Sequence, residues 1–373
     1  MKLKIRKTWF WRTARKVKKY FVGWKIEKYN GLSLTPEIQN KIQCVIKRTR
    51  SIYFHDEKTA KNLANNWVPQ SEAQAEDLRF IENAIPIVLC FNDDFAPYTA
   101  VMLQSLLDNS NPQRKYHFIL FEQNISDTTK KYLCNQISCF SHCSIDFVNT
   151  KDAINKIPFA LSKKTHFSSD IFSRFFIPYW LDGYSKVIYC DSDMIAMADI
   201  AELYDLDIQG HCMAATVNQG VSSALQHKNY SSAIFNSSPA AFLFLENWFR
   251  YINSGLLVFD IERFKKKISY ENLFRFCIYY TNRYKKIFGD QDVLSLLVKD
   301  DYFLLPREWN YCWASFFFQP AEPNTKMIHF TSKIKPWKNF PEIANNPDAL
   351  AYRDYAKNVP LYNMTHGAQN NKK

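Results

Sequence analysis

Two carboxylates one residue apart, Asp191 and Asp193, close an apolar, β-branched run in Lys186–Ala196, KVIYCDSDMIA. Such a run predicts a buried strand. Acids placed where a chain leaves a strand lie where open α/β sheets gather ligands, and paired hard oxygens there suit a divalent cation. A surface turn produces the same pattern, and a lone D-x-D arises by chance in many chains. The rest of the sequence therefore has to decide. Farther along, Gly289-Asp290-Gln291-Asp292 precedes a helix read over Val293–Val298, and Met327–Trp337 reads MIHFTSKIKPW with His329 after an apolar stretch. Taken singly, His329 is a satisfied core histidine, Asp290 a helix cap and Lys335 a solvated loop lysine, as Lys333 and Lys338 are expected to be.

The elements that must position these residues begin at Ile85. Ile85–Phe91 reads as a strand, followed by the polar turn Asn92-Asp93-Asp94 and a helical pattern through Val101, Leu103, Leu106 and Leu107. Tyr116–Phe121 and Ser144–Asn149 read as further strands, with a helix between them over Ser126–Ile137 capped by Ser126 or Asp127. Strands alternating with helices predict right-handed crossovers and a mainly parallel sheet, hence an α/β fold. Ser169–Leu181 reads as an aromatic-rich helix carrying Arg174, Cys212–Val217 and Tyr251–Asp260 as strands, and Gln219–Asn247 as a substrate-facing lobe or loop. Neither G-x-G-x-x-G nor G-x-x-x-x-G-K-[ST] is present, so phosphates have to be neutralised another way, and a metal is the obvious means.

Composition sets the outer limits. The chain has 373 residues, 47% of them hydrophobic and only 8 glycines, which fits a folded protein of one large domain with extensions. Nine cysteines without a C-x-x-C pair suggest reduced thiols, with neither a disulfide framework nor a structural zinc site. No apolar run approaches the roughly 20 residues of a membrane span, and the N-terminus lacks a signal-peptide pattern, so a soluble or peripheral protein is expected. Residues 1–50 hold 15 Lys and Arg against Glu27 and Glu37, or +13, which leaves −1 of the total +12 for the remainder. The basicity is an attachment. Phe10, Ala14, Val17, Phe21 and Trp24 form one stripe of a basic amphipathic helix over residues 8–24. With Trp9, Trp11 and Trp24 clustered there, residues 1–30 are expected to meet an anionic membrane surface. A helix packed on its own domain is the plain alternative, and nucleic acid is not the expected partner. Residues 35–84, including Pro36–Thr49 and Ser71–Asn83, are helix-compatible and read as a helical extension, 341–373 as a helical tail.

In order and spacing, five stretches resemble glycosyltransferase family 8, the retaining sugar-nucleotide-dependent enzymes that include bacterial lipopolysaccharide galactosyl- and glucosyltransferases. They are IPIVLCFNDDFAPY, FSRFFIPYWL, KVIYCDSDMIA, YINSGLLVF with FGDQDVL, and IHFTSKIKPW, and they span about residues 85–340. The resemblance implies a GT-A fold, one α/β domain joining a nucleotide-binding half to an acceptor-binding half. It implies that Asp191, Asp193 and His329 ligate Mn²⁺, with Mg²⁺ as the alternative. It implies donor contacts for Asn92, Asp93, Asp94 and Phe95 (nucleoside), Arg174 and Lys335 (phosphate), and Asn253 and Ser254 (sugar), with Gly255 permitting close backbone approach. Asp290 is then placed for sugar hydroxyls and Gln291 beside the anomeric carbon. The chain departs from the pattern at Phe95, where Tyr is usual, at Ser332, where Gly is common, and at Asn218, where an acid is common.

The implied reaction moves a hexose, galactose or glucose, from a UDP-sugar to a saccharide or glycolipid hydroxyl with retention, in cell-surface polysaccharide or lipopolysaccharide synthesis. The expected place is the cytoplasm, peripheral on the inner face of the cell membrane. No carboxylate pair is evident for double displacement, and an amide is a poor nucleophile, so front-face attack is the expected course. Two rivals remain: a sugar nucleotidyltransferase, which needs a Gly-rich activating loop where this chain has Asn92–Phe95, and a non-catalytic sugar-nucleotide-binding protein.

Overall fold

The computed structural model describes residues 56–69, 78–159, 169–220, 251–284, 289–298, 301–313, 318–331, 333–338 and 340–370. The expected basic helix, Pro36–Thr49, nearly all of Gln219–Asn247 and Ser332 lie outside them.

The strands are β1 (Ala84–Asn92), β2 (Lys115–Gln123), β3 (Cys143–Asn149), β4 (Lys186–Cys190), β5 (Met194–Ala196), β6 (Met213–Val217), β7 (Ile252–Asp260), β8 (Phe303–Leu304), β9 (Tyr311–Cys312) and β10 (Met327–His329). The longer helices are α1 (Glu57–Asn66), α2 (Ala96–Asp108), α3 (Asp127–Ser138), α4 (Tyr270–Arg283), α5 (Asp290–Val298), α6 (Pro347–Lys357) and α7 (Pro360–Asn370). A seven-stranded sheet has the order β3-β2-β1-β4-β7-β6-β8. Its β3-β2-β1-β4 half is parallel, whereas β7 runs antiparallel to both β4 and β6. Successive side chains of a strand face opposite layers: in β1, Val88 faces the core under α4, while Ile87 and Leu89 face the core under α2 and α6. Both layers are apolar, so the central strands read as continuous hydrophobic runs, as covered parallel sheets require.

A second, three-stranded sheet, β5-β10-β9, stands where β4 ends. The turn Asp191-Ser192-Asp193 is the link between the two sheets, and the antiparallel register of β5 and β10 sets His329 opposite Met194. The two acids and the histidine thus meet at a seam that backbone pairing holds from both sides.

Two local expectations are corrected. Ser169–Leu181 is not one helix: a 3-10 helix over Ser169–Phe176 gives way to a single α-turn, Ile177–Trp180, with Pro178 at its start. Leu78–Asn83 is not helical. Its polar groups are taken by other elements: the Arg79 guanidinium clasps Asp146 of β3 (2.8 Å from Nε), and the Ile81 N–H donates to the Tyr184 hydroxyl at 3.1 Å. Farther back, α1 is capped by the Asp56 side chain. Arg275 of α4 donates to the carbonyls of Ala64 and Asn65 at its C-terminus, satisfying groups a helix end leaves open.

Candidate active site

The turn between the two sheets is built by its own backbone. The Asp191 N–H donates to the Gly255 carbonyl of β7 at 2.7 Å, and the Phe330 N–H donates to the Asp193 carbonyl at 2.9 Å. Between them Ser192 is buried and accepts from Thr99 Oγ1 of α2 at 2.9 Å, so the turn is pinned on a third side. His329 Nε2 then lies 3.1 Å from Asp193 Oδ1 and 3.7 Å from Asp191 Oδ2. One ligand atom from each of Asp191, Asp193 and His329 falls within 4.8 Å of the others. The packing requires glycine at 255: a Cβ there would stand 2.2 Å from His329 Cε1 and 2.9 Å from Asp191 Oδ2. A converging set of two carboxylates and an imidazole, kept clear by a glycine, fits a divalent cation.

Electrostatics support the same fit. Burial alone lowers the affinity of the His329 imidazole for its proton, but the Asp193 carboxylate overrides that and lifts its pKa to about 10. Burial likewise opposes ionisation of Asp193, and Lys335 and His329 together hold it well below the usual carboxylate range. The Lys335 ammonium donates to Asp193 Oδ2 at 2.6 Å and to the Phe330 carbonyl at 2.5 Å. An imidazolium and an ammonium therefore balance the acids here, and a cation entering the cluster must displace the imidazole proton.

Arg174 joins this cluster to its neighbour. Its Nη2 is 2.9 Å from Asp191 Oδ1 and its Nη1 2.9 Å from Asp290 Oδ2. Nη1 also donates to the Ser254 carbonyl at 2.7 Å, Nε donates to the Ile171 carbonyl, and the guanidinium lies over the Tyr189 ring. Burial works against its charge, and the carboxylates of Asp191 and Asp290 more than restore it, raising its pKa. Arg174 is thus fully engaged with protein groups. Asp290 begins α5 after Gly289, whose φ of +56° and whose approach to Ile171 both call for glycine. Burial pushes the Asp290 carboxyl up and Arg174 pulls it back, leaving it at about 6. Beside it, Gln291 Oε1 accepts from Asn218 Nδ2 at 3.2 Å, while the buried Nε2 has no hydrogen-bond partner among the described residues. The buried Asp292 accepts from the hydroxyls of Tyr251 and Tyr280 and faces away into the core.

Asn253 lies next to the cluster on β7: its Oδ1 accepts from the Gly255 N–H at 2.9 Å and from Asn310 Nδ2 at 2.8 Å. Asn310 in turn faces His329, with 2.9 Å between Asn310 Oδ1 and His329 Nδ1. Sequence reasoning passed over Asn310, which sits in REWNYCW without a period or a motif. The available signal was only an isolated amide among aromatic residues. Tyr189 was missed too; its hydroxyl donates to Asp191 Oδ1 at 2.5 Å.

The turn Asn92–Phe95 forms the outer rim. Asn92 Oδ1 accepts from the Phe95 N–H, and Asp93 accepts from the Ser126 N–H and from Thr129 Oγ1, which ties the turn to the start of α3. Asp94 and Phe95 are exposed. The Phe95 ring meets Tyr98 edge-on at 5.7 Å, and Tyr98 stacks on Trp337 at 4.1 Å, so this rim and the K-P-W turn share one aromatic surface.

Known proteins match this arrangement. Residues 86–340 match the glycosyl transferase family 8 model. General stress protein A of Bacillus subtilis (strain 168) is 23% identical over 286 residues, covering 73% of this chain and 93% of that protein. A lipopolysaccharide 1,2-glucosyltransferase of Escherichia coli (strain K12) is 28% identical over 185 residues, covering 47% of this chain and 50% of that one. The structure of galactosyltransferase LgtC in complex with donor and acceptor sugar analogs superimposes with a TM-score of 0.54 at 18% identity, over 74% of this chain and 96% of that chain. That likeness establishes the GT-A type of fold. With the family pattern running through the cluster and across most of its length, this chain belongs to glycosyltransferase family 8.

Proposed function

We propose that this chain is a retaining hexosyltransferase that moves galactose or glucose from a UDP-sugar to a saccharide or glycolipid hydroxyl, with Mn²⁺ at Asp191, Asp193 and His329. The observation that carries this reading is the guanidinium of Arg174, which joins Asp191 of the ligand cluster to Asp290 of the Asp290–Gln291 pair. Groups suited to a diphosphate and groups suited to a sugar thereby share one buried face. A divalent cation bound there supplies positive charge to the departing diphosphate.

The chain's own residues do the rest. Lys335, resting on Asp193, turns its ammonium to the β-phosphate, and Asn92 to Phe95 receive the nucleoside. Asn253, Ser254 and Asp290 hold sugar hydroxyls, and Gln291 Nε2, which has no hydrogen-bond partner among the described residues, faces the sugar as a donor. An amide is a poor nucleophile, so the acceptor hydroxyl attacks from the face the diphosphate leaves, and the departing phosphate oxygen takes up its proton.

Among the described residues no helix is long and apolar enough to cross a membrane. In this reading residues 85–340 are the catalytic domain. The basic residues 1–30 hold it on the inner, cytoplasmic face of an anionic membrane, where a glycolipid of lipopolysaccharide or another cell-surface polysaccharide is extended. Removing residues 1–30 should abolish binding to anionic vesicles while transfer to a soluble acceptor continues; undiminished vesicle binding would refute the membrane assignment.

The catalytic reading is tested with a panel of UDP-sugars and Mn²⁺, scored for slow hydrolysis and for transfer to saccharides. One UDP-hexose should be turned over, and chelation of the metal should stop it. If Mn²⁺ promotes neither binding nor hydrolysis of any of them, the proposal fails.

A further inference from the structure

Asn310 is fully buried, and each polar atom of its side chain is committed. Its Nδ2 donates to Thr216 Oγ1 at 3.1 Å and to Asn253 Oδ1 at 2.8 Å. Asn253 Oδ1 already accepts from the Gly255 N–H. It must therefore be the amide oxygen of Asn253, and it has to meet a donor. That fixes which way the Asn310 amide points: nitrogen toward β6 and β7, oxygen toward His329 Nδ1, 2.9 Å away. An amide oxygen only accepts, so Nδ1 of His329 carries a hydrogen. In the neutral ring the lone pair then falls on Nε2, the nitrogen facing Asp191 and Asp193. The Asn310 backbone is held as well, its carbonyl accepting from Gln219 Nε2 at 2.5 Å and its N–H donating to the Arg307 carbonyl.

We propose that Asn310 is a positioning residue that sets the tautomer and ring orientation of His329 for metal binding and, through its other end, registers Asn253 against the same ion. It touches neither ion nor sugar. One amide reaches a ligand on β10 and a sugar-facing side chain on β7, elements from two different sheets. This inference rests on the metal reading of the cluster, but it concerns how the ligand is presented, not whether one exists.

The two ends of the amide can be tested apart. Asn310→Asp keeps an oxygen for His329 Nδ1 and loses both donations, whereas Asn310→Ala loses everything. Mn²⁺ affinity is read from the electron paramagnetic resonance of free Mn²⁺, with circular dichroism as the check on folding. Asn310→Ala should bind Mn²⁺ about 10–100-fold more weakly than the unaltered chain, the usual cost of losing the partner of a ligating histidine. Asn310→Asp should stay within about threefold for Mn²⁺ but bind UDP-hexose in the presence of Mn²⁺ about tenfold more weakly, because Asn253 has lost its partner. Folded Asn310→Ala with unaltered Mn²⁺ affinity overturns the inference. If Asn310→Ala does not fold, Asn310→Asp decides: loss of its Mn²⁺ affinity overturns the inference, and retained Mn²⁺ affinity with weakened donor binding supports it. An unaltered chain that does not bind Mn²⁺ refutes the metal reading first, and this inference with it.

Discussion

Among the described residues, two buried histidines stand in nearly the same local setting and serve opposite ends. His117 of β2 sets Nε2 3.0 Å from Asp146 and Nδ1 2.6 Å from the Tyr184 hydroxyl. His329 sets Nε2 3.1 Å from Asp193 and Nδ1 2.9 Å from Asn310. The difference lies in what else the carboxylate sees. Asp146 is already clasped by Arg79 (2.5 Å from Nη2), so around His117 burial prevails and its pKa falls. At His329 burial is outweighed by the Asp193 carboxylate itself, and the pKa rises to about 10; a second acid, Asp191, stands 3.7 Å from the same Nε2. Two carboxylates converging on one imidazole make a set of ligands suited to a cation. Balanced charge at the other makes a clamp, fastening Leu78–Asn83 to the sheet far along the strands from the carboxyl ends where Asp191 and Asp193 lie. A buried histidine beside an aspartate is not by itself a site.

The comparison can be broken most severely by exchanging which histidine region is damaged. Asp193→Asn should lower transfer by about 10³-fold or more while leaving the fold in place, since it removes charge where charge develops in the reaction. His117→Ala should do the converse, costing about 2–4 kcal/mol in urea unfolding through a cavity and unpaired polar groups, with transfer per folded molecule retained. If Asp193→Asn left transfer intact, the two regions would not differ in the way described.

The arginines sharpen the same contrast. Arg174→Met strips the partner from Asp191 and Asp290 in a buried setting, for an expected cost of about 3–5 kcal/mol. Arg79→Met acts on a side chain 62% exposed, and about 1 kcal/mol or less is expected. Equal losses in chemical denaturation would contradict this account of the two carboxylates. A smaller perturbation is Gly255→Ala, whose new methyl would meet His329 Cε1 at 2.2 Å. Pushing the imidazole aside should weaken Mn²⁺ binding by about tenfold, in the range seen when a ligand's orientation is disturbed; a calorimetric titration showing no change would contradict the packing.

The smallest effect concerns pH. His117 has a folded pKa below its ordinary 6.5, so its contribution to stability is present above about that pH and is lost as the pH falls and the buried ring must take up a proton. In metal-free protein His329 has a raised pKa, so its contribution is present below 6.5 and is lost as the pH rises toward about 10. Unfolding of the chelated protein across pH, compared with His117→Phe and His329→Asn, should show slopes of opposite sign removed by the two substitutions. Slopes of one sign would mean that the two environments are alike.

Much of this was legible before any coordinates. β1 to β4 announce themselves as apolar runs alternating with helical patterns, and Ser126 caps α3 as its position suggests. Asp191 and Asp193 stand out as acids closing a strand, His329 joins them through the family pattern, and the fold brings the three together. What stayed hidden depends on contacts between distant parts. Asn310 carries no local signal because its meaning comes from Thr216, Asn253 and His329 on three other strands. The second sheet was invisible because β5, β9 and β10 are two or three residues long, too short to show a period. The family resemblance places Arg174 at the donor phosphate, and only the fold discloses the two carboxylates flanking it. Leu78–Asn83 has helix-compatible composition, yet Asp146 and Tyr184 claim its polar groups.

The central claim is that Asp191, Asp193 and His329 hold a cation through which a sugar nucleotide is bound. It is tested most directly by thermal unfolding with UDP-hexose, Mn²⁺, both or neither. UDP-hexose with Mn²⁺, at a hundredfold excess over Kd, should raise Tm by roughly 3–4 °C. UDP-hexose with a chelator should give almost none of that shift, and Asp193→Asn should give none with either. An equal rise in the presence of the chelator, or in Asp193→Asn, would contradict the account.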